Sequence, residues 1–209
     1  NKRFKNKIKL KNYLIYILLA TVCDVMPLRK LNRLISIKAL KEFNLKTDNV
    51  FFEMYKLNNK NNKLNINDLG YFIGPILNSG GRLGKSHYAT KLLSSNNKKT
   101  IQEITSKLFK LNEKRKKIED ITFNNINFDK LKKENENIII YYNPTINEGI
   151  IGIIASKLKD YFDKPSIVIT KSKNILKGSA RSIFEYNIGK AIKNSLDKKF
   201  LPKNRKYYL

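Results

Sequence analysis

A short run near the end of the chain, from Gly178 to Ser182 (GSARS), contains the residue types that hold a phosphate group. Arginine binds phosphate through the planar fork of its guanidinium, and serine hydroxyls and backbone N–H groups can complete the set of donors. We interpret the run as a turn that follows a helix and a strand. Taken alone the pattern is weak, because a tight turn with a solvated arginine has the same composition.

A glycine-rich segment around Arg82 is a second candidate for anion binding. Residues 74–84 (GPILNSGGRLG) place glycines on both sides of Arg82, with Asn78 close by, so the backbone could approach an anion closely. The segment lacks the glycine-lysine-threonine ending of a nucleotide-triphosphatase phosphate loop. A glycine-rich turn between two helices explains the same residues equally well.

Asp24 is the candidate for metal-ion chemistry. It follows an apolar run, residues 11–22, that we predict to be a buried helix. Pro27 ends this helix, because the residue before a proline avoids helical geometry. An aspartate at such a helix end is either a local cap or a metal ligand, and the local pattern by itself favours the cap.

The elements that must position these residues are predicted from the spacing of apolar side chains. The clearest pattern is a long helix over residues 99–125, whose apolar residues recur three and four apart and whose other faces carry lysine and glutamate. Such a composition is typical of a solvated helix that bridges two domains. Further helices are predicted at 31–43, 47–57, from Asn67 through Ile73, from Gly149 through Leu158, and at 186–196, with strands at 137–142 and 166–170.

The charge of the chain indicates a polyanionic partner. The 209 residues carry a formal net charge of +26, and such a surface attracts nucleic acid. Lysine, asparagine and isoleucine are frequent even in predicted loops without a recognisable motif, which suggests an AT-rich coding bias. The charge is therefore compatible with a nucleic-acid partner but does not by itself establish one. The single cysteine, Cys23, fits a reducing cytoplasm. The apolar run at 13–23 is too short to span a bilayer, so we expect no membrane partner.

The order of these segments resembles the RecJ family. RecJ proteins are 5′→3′ exonucleases specific for single-stranded DNA, and they belong to the DHH phosphoesterase superfamily. The resemblance covers roughly residues 13–196, and the ordered set of motifs is more specific than any one of them. The segments are TVCDVMPL, LNRLISIKAL, GPILNSGGRLG, a long helix containing LNEKRKKIE, NEGIIGIIASKL and KGSARSI.

The resemblance implies an α/β fold in three parts. Residues 1–96 would be the mostly helical end of a DHH catalytic domain, and residues 97–125 a long linker helix. Residues 126–209 would be an incomplete, small α/β DHH-associated domain that binds nucleic acid. In the family this arrangement accompanies a catalytic site with two Mn²⁺ or Mg²⁺ ions.

The resemblance also implies roles for particular residues. Asp24 matches the last metal-binding aspartate, which replaces the interpretation as a cap. Arg82 matches an arginine that contacts nucleotide phosphates, and Asn78 would position the loop around it. Ser179 and Arg181 match the residues that hold the 5′ end of the DNA.

Three departures from the family pattern limit what this chain can do. It has one histidine and no Asp-His-His motif, so most metal ligands are absent, and we expect a piece of a longer protein that is inactive by itself. Family members usually have histidine at the position of Asn147, where the resemblance implies a contact with DNA or phosphate. Asparagine can still donate a hydrogen bond there, but it cannot carry charge. Residues 200–209 match nothing in the family pattern, which indicates a truncated or frameshifted reading frame.

Two other functions stay open. Another DHH phosphoesterase, acting on short oligoribonucleotides or phosphonucleotides, ranks second because its linker differs from the LNEKRKKIE helix. A non-catalytic remnant whose lysine-rich surface binds any polyanion is the alternative from another class. For the parent protein the resemblance implies single-stranded DNA as partner in repair and recombination, with a helicase and a single-strand-binding protein as candidate partners. We expect it to be a cytoplasmic monomer.

Overall fold

A computed structural model describes residues 13–134 and 137–198. The chain divides into two compact units, Asn1–Lys114 and Arg115–Leu209, and the dividing point lies inside the long helix. The predictions made for residues 11–12 and 200–209 lie outside the described residues. No helix in the described ranges is both long enough and apolar enough to cross a membrane.

The described part of the first unit, residues 13–114, contains helices joined by turns and no strand. Its core includes large apolar side chains that are fully buried, among them Leu18, Phe51, Met54, Leu69, Ile73, Leu92, Ile101 and Leu108. The elements in chain order are α1 (Leu14–Cys23), α2 (Lys30–Glu42), a 3₁₀ turn (Leu45–Thr47), α3 (Asn49–Leu57), a π-helix (Asp68–Ile73), α4 (Gly74–Arg82), α5 (His87–Leu93) and the first part of α6 (Lys98–Asn124).

The second unit is a small α/β layer structure. Its sheet has the order β1-β2-β3, with β2 parallel to β1 and antiparallel to β3. The parallel pair is joined through α8, which packs on the sheet, as a parallel connection requires a crossover. The predicted α/β class is confirmed. The elements are the end of α6, α7 (Phe128–Glu134), β1 (Ile139–Tyr142), α8 (Ile151–Phe162), β2 (Ser166–Ser172), β3 (Ile175–Arg181) and α9 (Ile188–Asp197).

The GSARS run is not the turn that the sequence suggested. Its residues up to Arg181 form the end of β3, and their backbone is paired with β2. The turn lies earlier, at Lys173 and Asn174, which have φ angles of 48° and 62°. Two consecutive positive φ angles define the type I′ turn that connects antiparallel strands. The backbone of this run is therefore used by the sheet, and its side chains must do any binding.

The glycine-rich segment is not a loop either. Gly74 to Arg82 form α4, and the chain turns only at Leu83 and Gly84. The glycines allow close packing: a Cβ on Gly80 would lie 2.7 Å from the carbonyl oxygen of Lys85. The loop predicted around Asn78 and Arg82 is wrong, and both residues lie on a helix.

A buried aspartate organises the turn before the π-helix. Asp68 accepts hydrogen bonds from the Tyr55 hydroxyl at 2.7 Å and the Asn65 N–H at 3.2 Å, and it forms an ion pair with Lys60. Burial alone raises the pKa of Asp68, but the hydrogen bonds from Lys60 and Tyr55 outweigh it and hold the pKa below its ordinary value. The Asn65 side chain in turn accepts from the Asp68 N–H at 2.9 Å, so Asn65 caps the helical turn at residues 66–67 that leads into the π-helix.

Helix α2 presents an apolar stripe at the surface of the first unit. The helix was predicted correctly, but Leu31, Leu34 and Ile37 are 66%, 65% and 56% exposed. The side chains that α2 buries are the small ones, Ser36 and Ala39. These small residues allow α2 to approach α1 closely, whereas Leu31, Leu34 and Ile37 stay at the surface.

Candidate phosphate-binding site

The end of β3 and the start of α8 bring the predicted phosphate ligands together. Ser179 and Arg181 alternate along the strand with Gly178 and Ala180, so their side chains lie on the same face of the sheet. That face meets α8: a Cβ on Gly152 would lie 2.8 Å from Arg181 Nη2 and 3.2 Å from Ser179 Oγ. Because Gly152 lies in the first turn of α8, both side chains lie at the amino-terminal end of the helix.

The guanidinium of Arg181 is held in place on two sides. Its Nη1 donates to Ser179 Oγ at 3.1 Å and to the carbonyl oxygen of Ala180 at 2.8 Å. Its Nε donates to Ser156 Oγ, one turn further along α8, at 3.0 Å. These hydrogen bonds to residues in the described ranges use Nε and Nη1 of Arg181. The two N–H donors on Nη2 are left for a ligand.

The amino terminus of α8 adds a favourable potential for an anion. The helix spans Ile151 to Phe162, and no side chain caps its start. The first backbone N–H groups of a helix lack partners within the helix, and the helix dipole is positive at this end. A half-buried arginine, a serine hydroxyl and a helix amino terminus are the elements of an anion-binding site.

Asn147 lies in the turn that leads into α8. Its Oδ1 accepts a hydrogen bond from the Gly149 N–H at 2.8 Å, and its backbone oxygen accepts from the Ile150 N–H at 3.0 Å. The amide oxygen is therefore engaged in the turn, and the NH₂ group is the part that can donate to a ligand. The contact between Asn147 and phosphate stays a prediction.

The positive charge of the neighbouring Lys177 is already compensated by an ion pair with Glu148. Lys177 lies on the same face of β3 as Ser179 and Arg181, and its Nζ is 2.5 Å from Glu148 Oε2. Hydrogen bonds from Lys177 and then Ser172 hold the pKa of Glu148 below its ordinary value, so this carboxylate is ionised at neutral pH. Arg181 is thus the cation of this strand face that remains for a phosphate.

Asn78 and Arg82 lie one turn apart on α4, in the first unit. This spacing places both side chains on the same face of the helix. Asn78 is exposed and Arg82 is half-buried. The structure brings Ser179 and Arg181 together in the second unit, and it places Asn78 and Arg82 together in the first.

Asp24 ends α1, and the backbone after it is strained. Its N–H donates to the carbonyl oxygen of Ala20 at 2.9 Å, and its side chain is exposed. Val25 follows with a φ of 53°, and the Met26 N–H donates to Thr21 at 3.0 Å, which is the Schellman arrangement of a helix end. Glycine usually occupies the Val25 position, because a β-branched residue is disfavoured there.

The described part of the chain can contribute to a metal site but cannot form one. It contains no group of three or more His, Cys, Asp or Glu side chains that could hold an ion. The carboxylate of Asp24 is a hard oxygen ligand of the kind that Mg²⁺ and Mn²⁺ prefer, and it fits as one member of a larger set. Burial, and then the charge of Asp24, raise the pKa of the Cys23 thiol, which therefore stays protonated and is a poor ligand.

Two residues of this site were missed in the sequence. Gly152 and Ser156 lie one turn apart on α8 and face Arg181. The signal was a glycine and a serine four positions apart in the apolar first half of the helix, which places a small and a hydroxyl-bearing residue on one face.

Comparisons with known proteins match the same segments. The single-stranded-DNA-specific exonuclease RecJ of Haemophilus influenzae is 34% identical over 173 residues, which are 79% of this chain and 30% of that protein. RecJ of Bacillus subtilis is 31% identical over 183 residues, 86% of this chain and 23% of that protein. The resemblance to the RecJ family is confirmed. No family model matches the chain.

Solved RecJ structures show the same fold. The crystal structure of RecJ from Thermus thermophilus in complex with Mg²⁺ has a TM-score of 0.77 at 21% identity, and it covers 94% of this chain and 30% of RecJ. The Mn²⁺ complex of the same protein has a TM-score of 0.78. The chain thus spans less than a third of the length of these RecJ proteins.

Proposed function

We propose that this chain is the part of a metal-dependent, single-stranded-DNA-specific 5′→3′ exonuclease that binds the DNA end. The proposal rests on one observation: the side chains of Ser179 and Arg181 are hydrogen-bonded to each other and pack against the first turn of α8. The similarity to RecJ along most of the chain supports it, and so does the net charge of +26. Within this proposal the chain acts as a binding module, and Asp24 contributes one ligand to a metal site that the complete protein would form.

The proposed division of labour follows from the chemistry of each group. A pair of divalent ions, when bound by the complete protein, supplies an activated water and neutralises charge at the leaving oxygen. Asp24 provides one oxygen ligand for that pair. Arg82, with Asn78 one turn before it on α4, contacts a phosphate of the strand, and Asn147 donates a further hydrogen bond.

The site in the second unit explains the polarity of the reaction. A terminal phosphate carries more negative charge than an internal phosphodiester and offers three oxygen acceptors. Ser179, the Nη2 donors of Arg181 and the start of α8 match such a group better than they match a diester. Binding of the 5′ terminal phosphate there would make hydrolysis start at the 5′ end of the strand.

The wider context is part of the same proposal. Residues 1–96 would complete a catalytic domain, 97–125 would link it, and 126–209 would be the nucleic-acid-binding domain. The parent protein would act as a cytoplasmic monomer in repair and recombination, with a helicase and a single-strand-binding protein as partners. The family resemblance and the single free cysteine support this assignment.

Binding to end-labelled oligonucleotides tests the proposal. The 209-residue chain is titrated into a fluorescent single-stranded oligonucleotide with a 5′ phosphate or a 5′ hydroxyl, at moderate salt. We expect tighter binding of the phosphorylated strand. Arg181→Ala should abolish the preference, whereas Lys173→Ala in the β2–β3 turn should leave it unchanged.

Each alternative function has a distinct outcome. Equal and salt-labile binding of both strands would refute the end-binding site and favour a basic remnant that binds any polyanion. Equal loss of the preference in Arg181→Ala and Lys173→Ala would also refute the site. A clear preference for short RNA over DNA of the same sequence would favour another DHH phosphoesterase.

A further inference from the structure

We propose that Ser156 and Gly152 are positioning residues of the 5′-phosphate site, which act by orienting the guanidinium of Arg181. This inference rests on the proposed function of Arg181 and extends it to α8. An arginine has many accessible rotamers, and a phosphate site is effective only when the guanidinium is already aligned. The structure shows which groups supply that alignment.

The hydroxyl of Ser156 accepts one hydrogen bond and donates another. It accepts the Nε–H of Arg181 at 3.0 Å and donates its own proton to the carbonyl oxygen of Gly152 at 3.1 Å. The bond to Gly152 fixes the direction of the hydroxyl proton, so the oxygen lone pair points at Nε. Ser156 thereby sets the plane of the guanidinium and directs Nη2 towards the start of α8.

Gly152 supplies the space that this orientation needs. A Cβ at this position would lie 2.8 Å from Nη2 and 3.7 Å from the central carbon of the guanidinium. It would also lie 3.2 Å from Ser179 Oγ. The positions 152 and 156 are one turn apart, so one face of α8 provides both the space and the hydrogen-bond acceptor.

Contacts on other sides of α8 hold the helix in a single rotational setting. Lys157 Nζ lies 2.9 Å from Glu119 Oε1 and 3.3 Å from Asp120 Oδ1, both at the end of α6. On the sheet side the buried Ser166 hydroxyl donates to the carbonyl oxygen of Ala155 at 2.5 Å. These contacts fix the face that α8 presents to Arg181, so Ser156 is a rigid reference point for the side chain.

The experiment compares end preference in three variants of the 209-residue chain. Ser156→Ala removes the acceptor, Ser156→Thr keeps it, and Ser195→Ala is the matched control. Ser195 makes the same kind of bond to a helix carbonyl, 3.0 Å to Ala191, but does not hold Arg181. The readout is the ratio of dissociation constants for 5′-hydroxyl and 5′-phosphate single-stranded oligonucleotides, with thermal unfolding followed in parallel.

We expect Ser156→Ala to lower this ratio about tenfold, because a hydrogen bond to a charged group is lost. Affinity for the 5′-hydroxyl strand and the unfolding temperature should stay near the original values, since alanine is favourable in a helix. Ser156→Thr should keep most of the ratio, and Ser195→Ala all of it.

Failure of the inference differs from failure of the proposed function. A ratio of one in the original chain would refute the end-binding function itself. A high ratio in the original chain that Ser156→Ala leaves intact would refute the role of Ser156. An equal loss of ratio in Ser195→Ala would show a general effect of helix stability, and it would refute that role too.

Discussion

Gly152→Ala should weaken recognition of the 5′ phosphate while it strengthens the fold. The added Cβ would lie 2.8 Å from Arg181 Nη2, roughly 0.7 Å short of an ordinary contact of about 3.5 Å. Nη2 is the far end of a flexible side chain, so the guanidinium will move and the helix will stay. The same methyl group lies 3.2 Å from Ser179 Oγ, which disturbs the second ligand.

The two effects have opposite signs, and the loss of binding is the larger of the two. Glycine is less favourable than alanine inside a helix by about 0.8–1.0 kcal/mol, so the free energy of unfolding should rise by up to that amount. Loss of a charge-assisted hydrogen bond costs about 1.5–3 kcal/mol, which corresponds to roughly a 10- to 100-fold weaker binding of the phosphorylated strand. Affinity for the 5′-hydroxyl strand should change little.

Urea unfolding and fluorescence anisotropy with the two oligonucleotides measure these changes on the same samples. Gly81→Ala is the matched control, because it lies in α4 and its added Cβ would meet no atom within 4 Å. The control should show the stability gain without any loss of end preference. A Gly152→Ala chain that keeps the full 5′-phosphate preference would refute the proposed geometry of the site.

Three further predictions concern the first unit. Val25→Gly should raise the free energy of unfolding by about 1 kcal/mol, because it relieves a left-handed valine whose side chain is 86% exposed; urea unfolding checks this, and no gain would contradict the strained helix end. Thr105→Val should raise the free energy of unfolding by about 1 kcal/mol, because the buried Thr105 hydroxyl has no hydrogen-bond partner in the described ranges. A lower free energy of unfolding in urea would contradict this, since it would show that the hydroxyl has a partner. Asp68→Asn should lower the free energy of unfolding by roughly 2 kcal/mol at neutral pH. Because the folded pKa of Asp68 lies below its unfolded value, the stabilisation is present above about pH 4 and is lost as the pH falls through the folded pKa. The two chains should therefore converge in stability in acid, and a constant difference down to about pH 2 would contradict the role of the ion pair.

The long helix shows what the sequence could predict. Ile101, Ile104 and Leu108 recur at helical spacing and are buried, and the observed helix, Lys98–Asn124, differs from the predicted one by a residue at each end. The same pattern included Ile121, which is 62% exposed. Periodicity predicts that a segment is helical, but which residues become buried depends on what packs against it.

The phosphate site shows what the sequence could not predict. The types and order of Ser179 and Arg181 were informative, but the GSARS run suggested a turn because glycine and serine are frequent in turns. The actual turn at Lys173 and Asn174 lacks the usual Asn-Gly pair. The contribution of Ser156 depends on the pairing of β3 with β2 and on the packing of α8, which are contacts between distant segments.

The apolar stripe on α2 affects how the isolated chain behaves in solution. With a net charge of +26, copies of the chain repel one another at low ionic strength and stay apart. Added salt shortens the range of this repulsion, from about 10 Å at 0.1 M to about 3 Å at 1 M, while it leaves apolar attraction between exposed leucines intact. Salt should therefore weaken DNA binding and promote self-association together, and light scattering along the same salt series would separate the two causes of a falling DNA-binding signal.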